Sequence, residues 1–300
     1  MNRNLILPLG AGILVFGIVA YAFFHNAQLP VFHPQGPVAS AERDIIVLTT
    51  LLSAIVVLPV FGLLAYLGVR YRASNTKVED RHAPDWDHDS VYAEFFWWTV
   101  PTVIIFFLGM LAVQSSKTLD PYVPVQGKNS PMVIQVQALD WKWLFIYPAQ
   151  GIATVNMLEI PKDTPIDFVI TSKGPMNSFW IPSLGGQIMA MPGMTTHMNL
   201  LASNVGTFQG SSANISGRGF SSMNFAVHAV SSNDFNLWVA SVKNDTHPLM
   251  PEVYRTLVLP STNMPAITYS DVASELYTTS TMSNTMQTMQ GSPVMKGMTP

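Results

Sequence analysis

Residues 208–223, FQGSSANISGRGFSSM, run directly into MNFAVHAV at 223–230. The second piece alternates. Phe225, Val227 and Ala229 fall on one face, the pattern of a half-buried strand. The first piece is loop chemistry, rich in glycine and serine. Counted from Ser212, Ser216 stands four residues on, Phe220 four further and Met223 three further, and Asn177 stands alone upstream in NSFWIP. That is the layout of a metal-binding loop with most of its ligands missing. A serine hydroxyl is hard and stays protonated at neutral pH. A phenylalanine ring offers no lone pair, and a lone thioether is a weak ligand. The chain contains no cysteine, so no thiolate is available from elsewhere.

Outward from this loop the chain continues as short strands. PMVIQVQAL at 131–139 alternates in part and is enriched in β-branched residues, and IDFVIT at 166–171 is a second run. Proline, glycine and serine clusters separate the runs. Several strands of this kind over 131–229 predict a sandwich or Greek-key barrel. Residues 233–243 then read as a short helix, with Phe235, Leu237, Trp238 and Val239 as its apolar surface.

The spacing of Ser212, Ser216, Phe220 and Met223, with Asn177 upstream, resembles the second subunit of haem–copper cytochrome oxidases. DWKWLFIYP, QGIATVN and MNSFWIPSLG carry the resemblance further, and it spans about residues 42–243. In relatives that oxidise cytochrome c, these positions hold Cys, Cys, His, Met and an upstream His around a dinuclear copper centre. Here only Met223 is kept. Asn214 stands where the family has an acidic residue that ties the copper to a nearby magnesium site. The resemblance therefore points to the quinol oxidases of the cytochrome bo type. It implies a cupredoxin barrel without copper, no metal in this subunit, and haems and copper in subunit I. Many relatives also carry a lipid-modified N-terminal cysteine, and this chain departs from them there.

Composition agrees with a membrane protein. Hydrophobic residues make up 48% of the 300 and charged residues 11%, against roughly 25% charged in soluble chains. The formal net charge of −3 suggests neither nucleic acid nor an anionic lipid surface as a partner. Zero cysteines exclude disulfides, thiol catalysis and cysteine-based metal clusters.

Residues 1–24 hold an uncharged run from Leu5 to Phe24, behind Arg3. Signal-sequence cores are usually ~7–15 residues, so a signal sequence and an extra transmembrane anchor both stand. Residues 25–44 read as a linker, because Pro30, Pro34, Gly36 and Pro37 oppose regular structure. Residues 45–116 read as a transmembrane hairpin, with uncharged spans at 45–69 and 95–116. About 20 apolar residues cross a bilayer core. Arg70, Arg72, Lys77 and Arg81 place the loop 70–94 in the cytoplasm. The domain at 117–245 then lies in the periplasm of a bacterial inner-membrane protein. The fold class expected is thus an α+β membrane protein, a transmembrane helical hairpin followed by an all-β cupredoxin-like domain.

Glu94 has two readings. One is an exposed carboxylate at the membrane surface. The other is a proton-collecting group at the mouth of a channel into subunit I. The resemblance implies the second, because the family has a glutamate seven residues before a proline in its second helix. Glu94 stands seven before Pro101. Trp141 matches a tryptophan on the electron-entry face of cytochrome c-using relatives, but with no acceptor beneath it the expected role is structural. His197 and His228 read as structural histidines. Residues 117–250 carry seven basic and seven acidic residues, and a neutral domain fits a protein that does not dock basic cytochrome c. The tail at 246–300 is rich in Met, Ser and Thr and is expected to be disordered. Its Met282, Met286, Met289, Met295 and Met298 leave a Cu(I)-handling role as the rival reading.

The expected function is subunit II of a proton-translocating quinol oxidase, with no catalytic residue of its own. Its partners are a haem-bearing subunit I, other oxidase subunits, lipid and membrane quinol. Two alternatives stand: a cytochrome c oxidase subunit with a degenerate copper site, and a membrane-anchored cupredoxin-like copper-handling protein.

Overall fold

The computed structural model describes residues 29–71, 91–273 and Leu276. The chain divides into two compact units. One comprises residues 41–120, and the other joins the segment before residue 41 to the chain from residue 121 onward.

The first unit is built from two helices, α1 (Pro37–Arg70) and α2 (Val91–Thr118). Mean hydropathy reaches 2.5 in α1 and 2.0 in α2, and neither apolar window is buried within the chain. Both helices are apolar all round, as expected where lipid or a partner subunit covers every face. The protein is membrane-anchored. Pro59 and Pro101 sit inside the helices. The freed carbonyls near such prolines are tolerated in membrane helices when other donors reach them. Trp97 and Trp98 lie near the start of α2 and Tyr66 near the end of α1, where aromatic residues suit a membrane interface.

The helices are longer than the uncharged runs. In particular, α1 begins at Pro37, inside the expected linker. Proline is tolerated in a first helical turn because its missing N–H would have no partner there. Glu42, Arg43 and Asp44 end the uncharged run without ending the helix. The turn at 37–40 belongs to the second unit. Ala39 N donates to Leu184 O at 3.1 Å, and Gln35 N donates to Ser183 O at 2.7 Å. Gly36 lies so close to Leu201 that an added Cβ would meet its carbonyl at 2.3 Å.

The second unit is two packed sheets. β1 (Met132–Leu139), β2 (Lys142–Tyr147), β3 (Ile152–Val155), β5 (Ile166–Ser172), β8 (Thr196–Leu200) and β11 (Ile267–Tyr269) form one, in the order β11-β3-β2-β1-β5-β8. β4 (Met157–Pro161), β6 (Asn177–Trp180), β7 (Gln187–Ala190), β9 (Gly206–Ser212) and β10 (Asn224–Val230) form the other, in the order β4-β10-β9-β6-β7. β1 pairs parallel with β5, and β10 with β4. Inward residues of both sheets make the main core. Trp143, Phe145, Phe168, Phe179 and Phe225 are its aromatic centre. Phe179 and Phe225 stack with centroids 5.5 Å apart. Gly210 is required beneath Phe225, since a Cβ there would lie 2.0 Å from its ring.

α3 (Ser232–Lys243) follows the last long strand, as its sequence predicts. Ser231 caps it by accepting from Asp234 N at 3.2 Å, an arrangement that satisfies one free N–H of the first turn.

The expected disorder from residue 246 is corrected here. Residues 247–273 fold as a strap that carries α4 (Pro251–Val258) and β11. Leu249, Leu257, Tyr269, Val272 and Leu276 bury against Leu139, Leu144, Ile146, Ala153 and Val155 to make a second core on the outer face of the larger sheet. Tyr254, Leu257 and Val258 stand at helical spacing in α4, and that face packs on the second core. They fold because the sheet already presents an apolar face to cover. Three side chains pin the strap. Lys142 Nζ donates to Leu259 O at 2.8 Å and to Ser261 Oγ at 2.5 Å. Asn156 Nδ2 donates to Met264 O at 2.8 Å, and the Tyr254 hydroxyl donates to Gln137 Oε1 at 2.6 Å. The methionines from 282 onward, the run at 1–24 and the loop at 72–90 lie outside the described residues.

Candidate functional site

The site lies at the end of the smaller sheet where β6, β9 and the start of β10 meet. β6 places Asn177, and the pairing of Phe179 with Ser212 brings β9 alongside it. Asn177 and Ser212 are 35 apart in sequence. Ser212 Oγ donates to Asn177 Oδ1 at 3.1 Å. It also lies 3.3 Å from Asn214 O. Asn177 Nδ2 donates to Pro175 O at 2.9 Å. Asn177 is fully buried and Ser212 nearly so, so each relies on the other for satisfaction. Asn214 Nδ2 donates to Met176 O at 3.0 Å. The start of the loop is thereby tied to β6 and to the residue before it.

Backbone bonds hold the rest of the loop. Ser212 N donates to Met223 O at 3.1 Å, Phe220 N to Gly217 O at 3.2 Å, and Met223 N to Phe220 O at 3.0 Å. Phe220–Ser222 is one tight helical turn. Met223 is buried in the main core. Ser216 turns the other way. Its carbonyl accepts from Trp141 Nε1 at 3.2 Å, and its hydroxyl is buried with no partner among the described residues.

The structure thus brings together Asn177, Ser212 and Asn214 by side-chain bonds and Met223 through the backbone. Ser216 is set apart against Trp141, and Phe220 contributes only its ring and the turn. Trp141 is the member that ligand spacing does not reveal. It occupies the second position of the two-residue turn between β1 and β2, at φ 62°. A Cβ on Gly219 would lie 2.3 Å from its ring, and one on Gly217 would lie 3.2 Å from it. The Gly217-Arg218-Gly219 triplet was the signal in the sequence, since only glycine lets a backbone pass so near an indole.

The donor set does not fit a dinuclear copper centre. Both polar ends of the Asn177 amide are engaged, the Ser212 proton is donated, and Phe220 has no lone pair. Among the described residues no three of His, Cys, Asp or Glu gather to hold a metal ion. His197 and His228 are engaged elsewhere. His197 Nδ1 lies 3.1 Å from Asp167 Oδ1, and His228 Nδ1 lies 3.1 Å from Thr207 Oγ1. Glu94 belongs to the other unit, exposed in the first turn of α2.

Residues 147–230 match the family described as "Cytochrome C oxidase subunit II, periplasmic domain". The chain is 48% identical over 252 residues to the cytochrome bo(3) ubiquinol oxidase subunit 2 of Pseudomonas aeruginosa, covering 84% of this chain and 75% of that one. It is 45% identical over 249 residues to the ubiquinol oxidase subunit 2 of Acetobacter aceti, covering 82% and 80%. Among solved structures, the periplasmic domain of cytochrome oxidase subunit II of Bradyrhizobium japonicum is 21% identical, covers 39% of this chain and 94% of that chain, and gives a TM-score of 0.37.

Proposed function

The chain belongs to the quinol oxidase subunit 2 family, a subunit of an oxidoreductase complex that associates with other oxidase subunits, and from that premise we propose that it works without a redox centre of its own. The observation that carries this reading is the Ser212–Asn177 hydrogen bond. It closes the place where family members that use cytochrome c hold copper. Phe220 and the lack of any cysteine complete the loss.

Quinol is lipid-soluble. It reaches a haem-bearing subunit I from within the bilayer, so no copper relay on the outer face is needed. The haems and the catalytic copper belong to that subunit. This chain braces it with a two-helix transmembrane hairpin and caps it with the barrel. It is multi-pass in a bacterial inner membrane, with the barrel in the periplasm. Support for that placement is the pair of apolar helices and the periplasmic domain family matched by the barrel.

The test is spectroscopic and kinetic. The purified complex is expected to show no mixed-valence copper-pair signal in electron paramagnetic resonance, and to turn over with quinol but not with reduced cytochrome c. A copper-pair signal, or rapid cytochrome c oxidation, overturns the reading. Rapid cytochrome c oxidation revives the cytochrome c oxidase alternative, and isolation of a haem-free monomer revives the copper-handling one.

Glu94 supplies protons to the complex in this reading. What supports it is the match of Glu94, seven residues before Pro101, to the glutamate that the family carries before its second-helix proline. Glu94→Ala is expected to slow quinol-driven turnover by about tenfold, less than the roughly 10²–10⁴-fold of a group that moves the proton in the chemical step itself. Glu94→Asp is expected to retain most of it. Equal turnover in wild type and Glu94→Ala removes the role.

A further inference from the structure

The outer face of the larger sheet holds a second polar feature that neither the copper-type loop nor the oxidase reading uses. Gln135 and Gln137 lie two residues apart on β1, both turned from the main core. Register places Gln135 between Ile146 and Val169, and Gln137 between Leu144 and Thr171. Gln137 is 2% exposed. Its Oε1 accepts from the Tyr254 hydroxyl at 2.6 Å. Its Nε2 is buried without a protein partner among the described residues, and so is Gln135 Oε1. Both glutamines line one small cavity with Ile146, Val169, Thr171 and Thr195.

An unpartnered buried amide atom costs about 1–3 kcal/mol, and two in one cavity point to a shared ligand. The cavity offers about 10 Å³ to the centre of a water-sized sphere, and one water needs roughly 10–15 Å³. The ligand must accept from Gln137 Nε2 and donate to Gln135 Oε1. A metal cation fails the first demand, because the N–H bonds point positive charge at it. A halide fails the second, because it has no proton to give Gln135. We propose that this cavity is a binding site for a single water, bridging Gln137 Nε2 to Gln135 Oε1. The bridge extends the bond from Tyr254 on α4 into a chain, Tyr254 to Gln137 to water to Gln135, that anchors the strap to the sheet.

The test has two readouts on the intact oxidase complex. A structure resolving ordered water is expected to show one oxygen within hydrogen-bond distance of both amides. A dry cavity, or a direct bond between the two amides, overturns the proposal. The second readout is amide hydrogen exchange in α4 after Gln135→Met, a change close in volume. Gln135 has no direct bond to the strap, so an effect there travels through the bridge. Exchange at residues 251–258 is expected to quicken about fivefold, the value of roughly one hydrogen bond. Unchanged exchange overturns it. If the variant fails to assemble, the wild-type structure decides alone.

Discussion

Trp141 and Lys142 are neighbours in sequence and hold two regions of opposite history. Trp141 packs on Gly217 and Gly219 and bonds Ser216 O, clamping the copper-type loop. Lys142 reaches through the other face to Leu259 O and Ser261 Oγ, clamping the strap. The loop has a spacing that resembles a metal-binding loop, but among the described residues no donor set gathers there. The strap reads as part of a polar tail but folds against a core. In each case order comes from what the neighbouring surface offers. Glycines and backbone bonds preserve the loop's path without a metal, and an apolar sheet face gives the strap a place to bury its few large residues.

The largest effect is expected on the strap side. Lys142 is 1% exposed, and burial pushes its ammonium below the ordinary lysine value, with Asp140 opposing. Lys142→Ala leaves a carbonyl and a hydroxyl without their donor and is expected to cost about 3 kcal/mol. Chemical unfolding of the detergent-solubilised subunit, with hydrogen exchange in residues 251–269, checks it. Loss confined to the loop instead would break the division between the two clamps.

On the loop side, Gly219→Val forces Trp141 from its seat. The expected cost is about 2 kcal/mol, in the range of overpacking, with a shift in tryptophan emission and unaltered exchange in the strap. Ser212→Ala removes the hydroxyl that satisfies Asn177 and is expected to cost about 1 kcal/mol. Adding Asn177→Ala is expected to cost less than its single effect, because both remove the same bond. Strict additivity would mean that the hydrogen bond contributes nothing.

The smallest effect concerns Glu159 on β4, whose carboxyl is raised by burial first and by Asp234 second. A raised acid makes the charged form unfavourable in the folded state. The penalty is present above the folded pKa and is relieved as pH falls through it, where the native state binds the extra proton. Glu159→Gln is therefore expected to raise thermal stability at neutral pH by about 0.5 kcal/mol or less, given its solvent screening. The gain should vanish in acid. A gain that persists at low pH would point to packing, not charge.

Much of the barrel was legible in the residues. The alternation of Phe225, Val227 and Ala229 marks β10, the apolar residues of 233–243 mark α3, and the uncharged runs mark the two helices. The start of α1 was not legible, because Pro37 and the charged Glu42–Asp44 stretch resemble a linker until the Leu184 carbonyl is seen to receive Ala39 N. Nor was the strap: Tyr254, Leu257 and Val258 stand at helical spacing, but no local pattern shows that the outer face of the larger sheet receives them. At the site, the spacing of Ser212, Ser216, Phe220 and Met223 was readable, but the partner of Ser212 was not, since Asn177 is 35 residues away.

By itself the sequence determined the chemistry that is possible here: two long apolar helices, a β domain, no thiolate, and a loop with a hydroxyl and a ring where soft ligands would be required. These follow from side-chain type and short-range period, which are local properties. Only the tertiary structure decided which buried groups satisfy one another. It joined Ser212 to Asn177, set Trp141 against two glycines, and turned residues 247–273 from a tail into a wall of the second core. Such pairings depend on strand register and on faces assembled from distant segments, and no local pattern contains them.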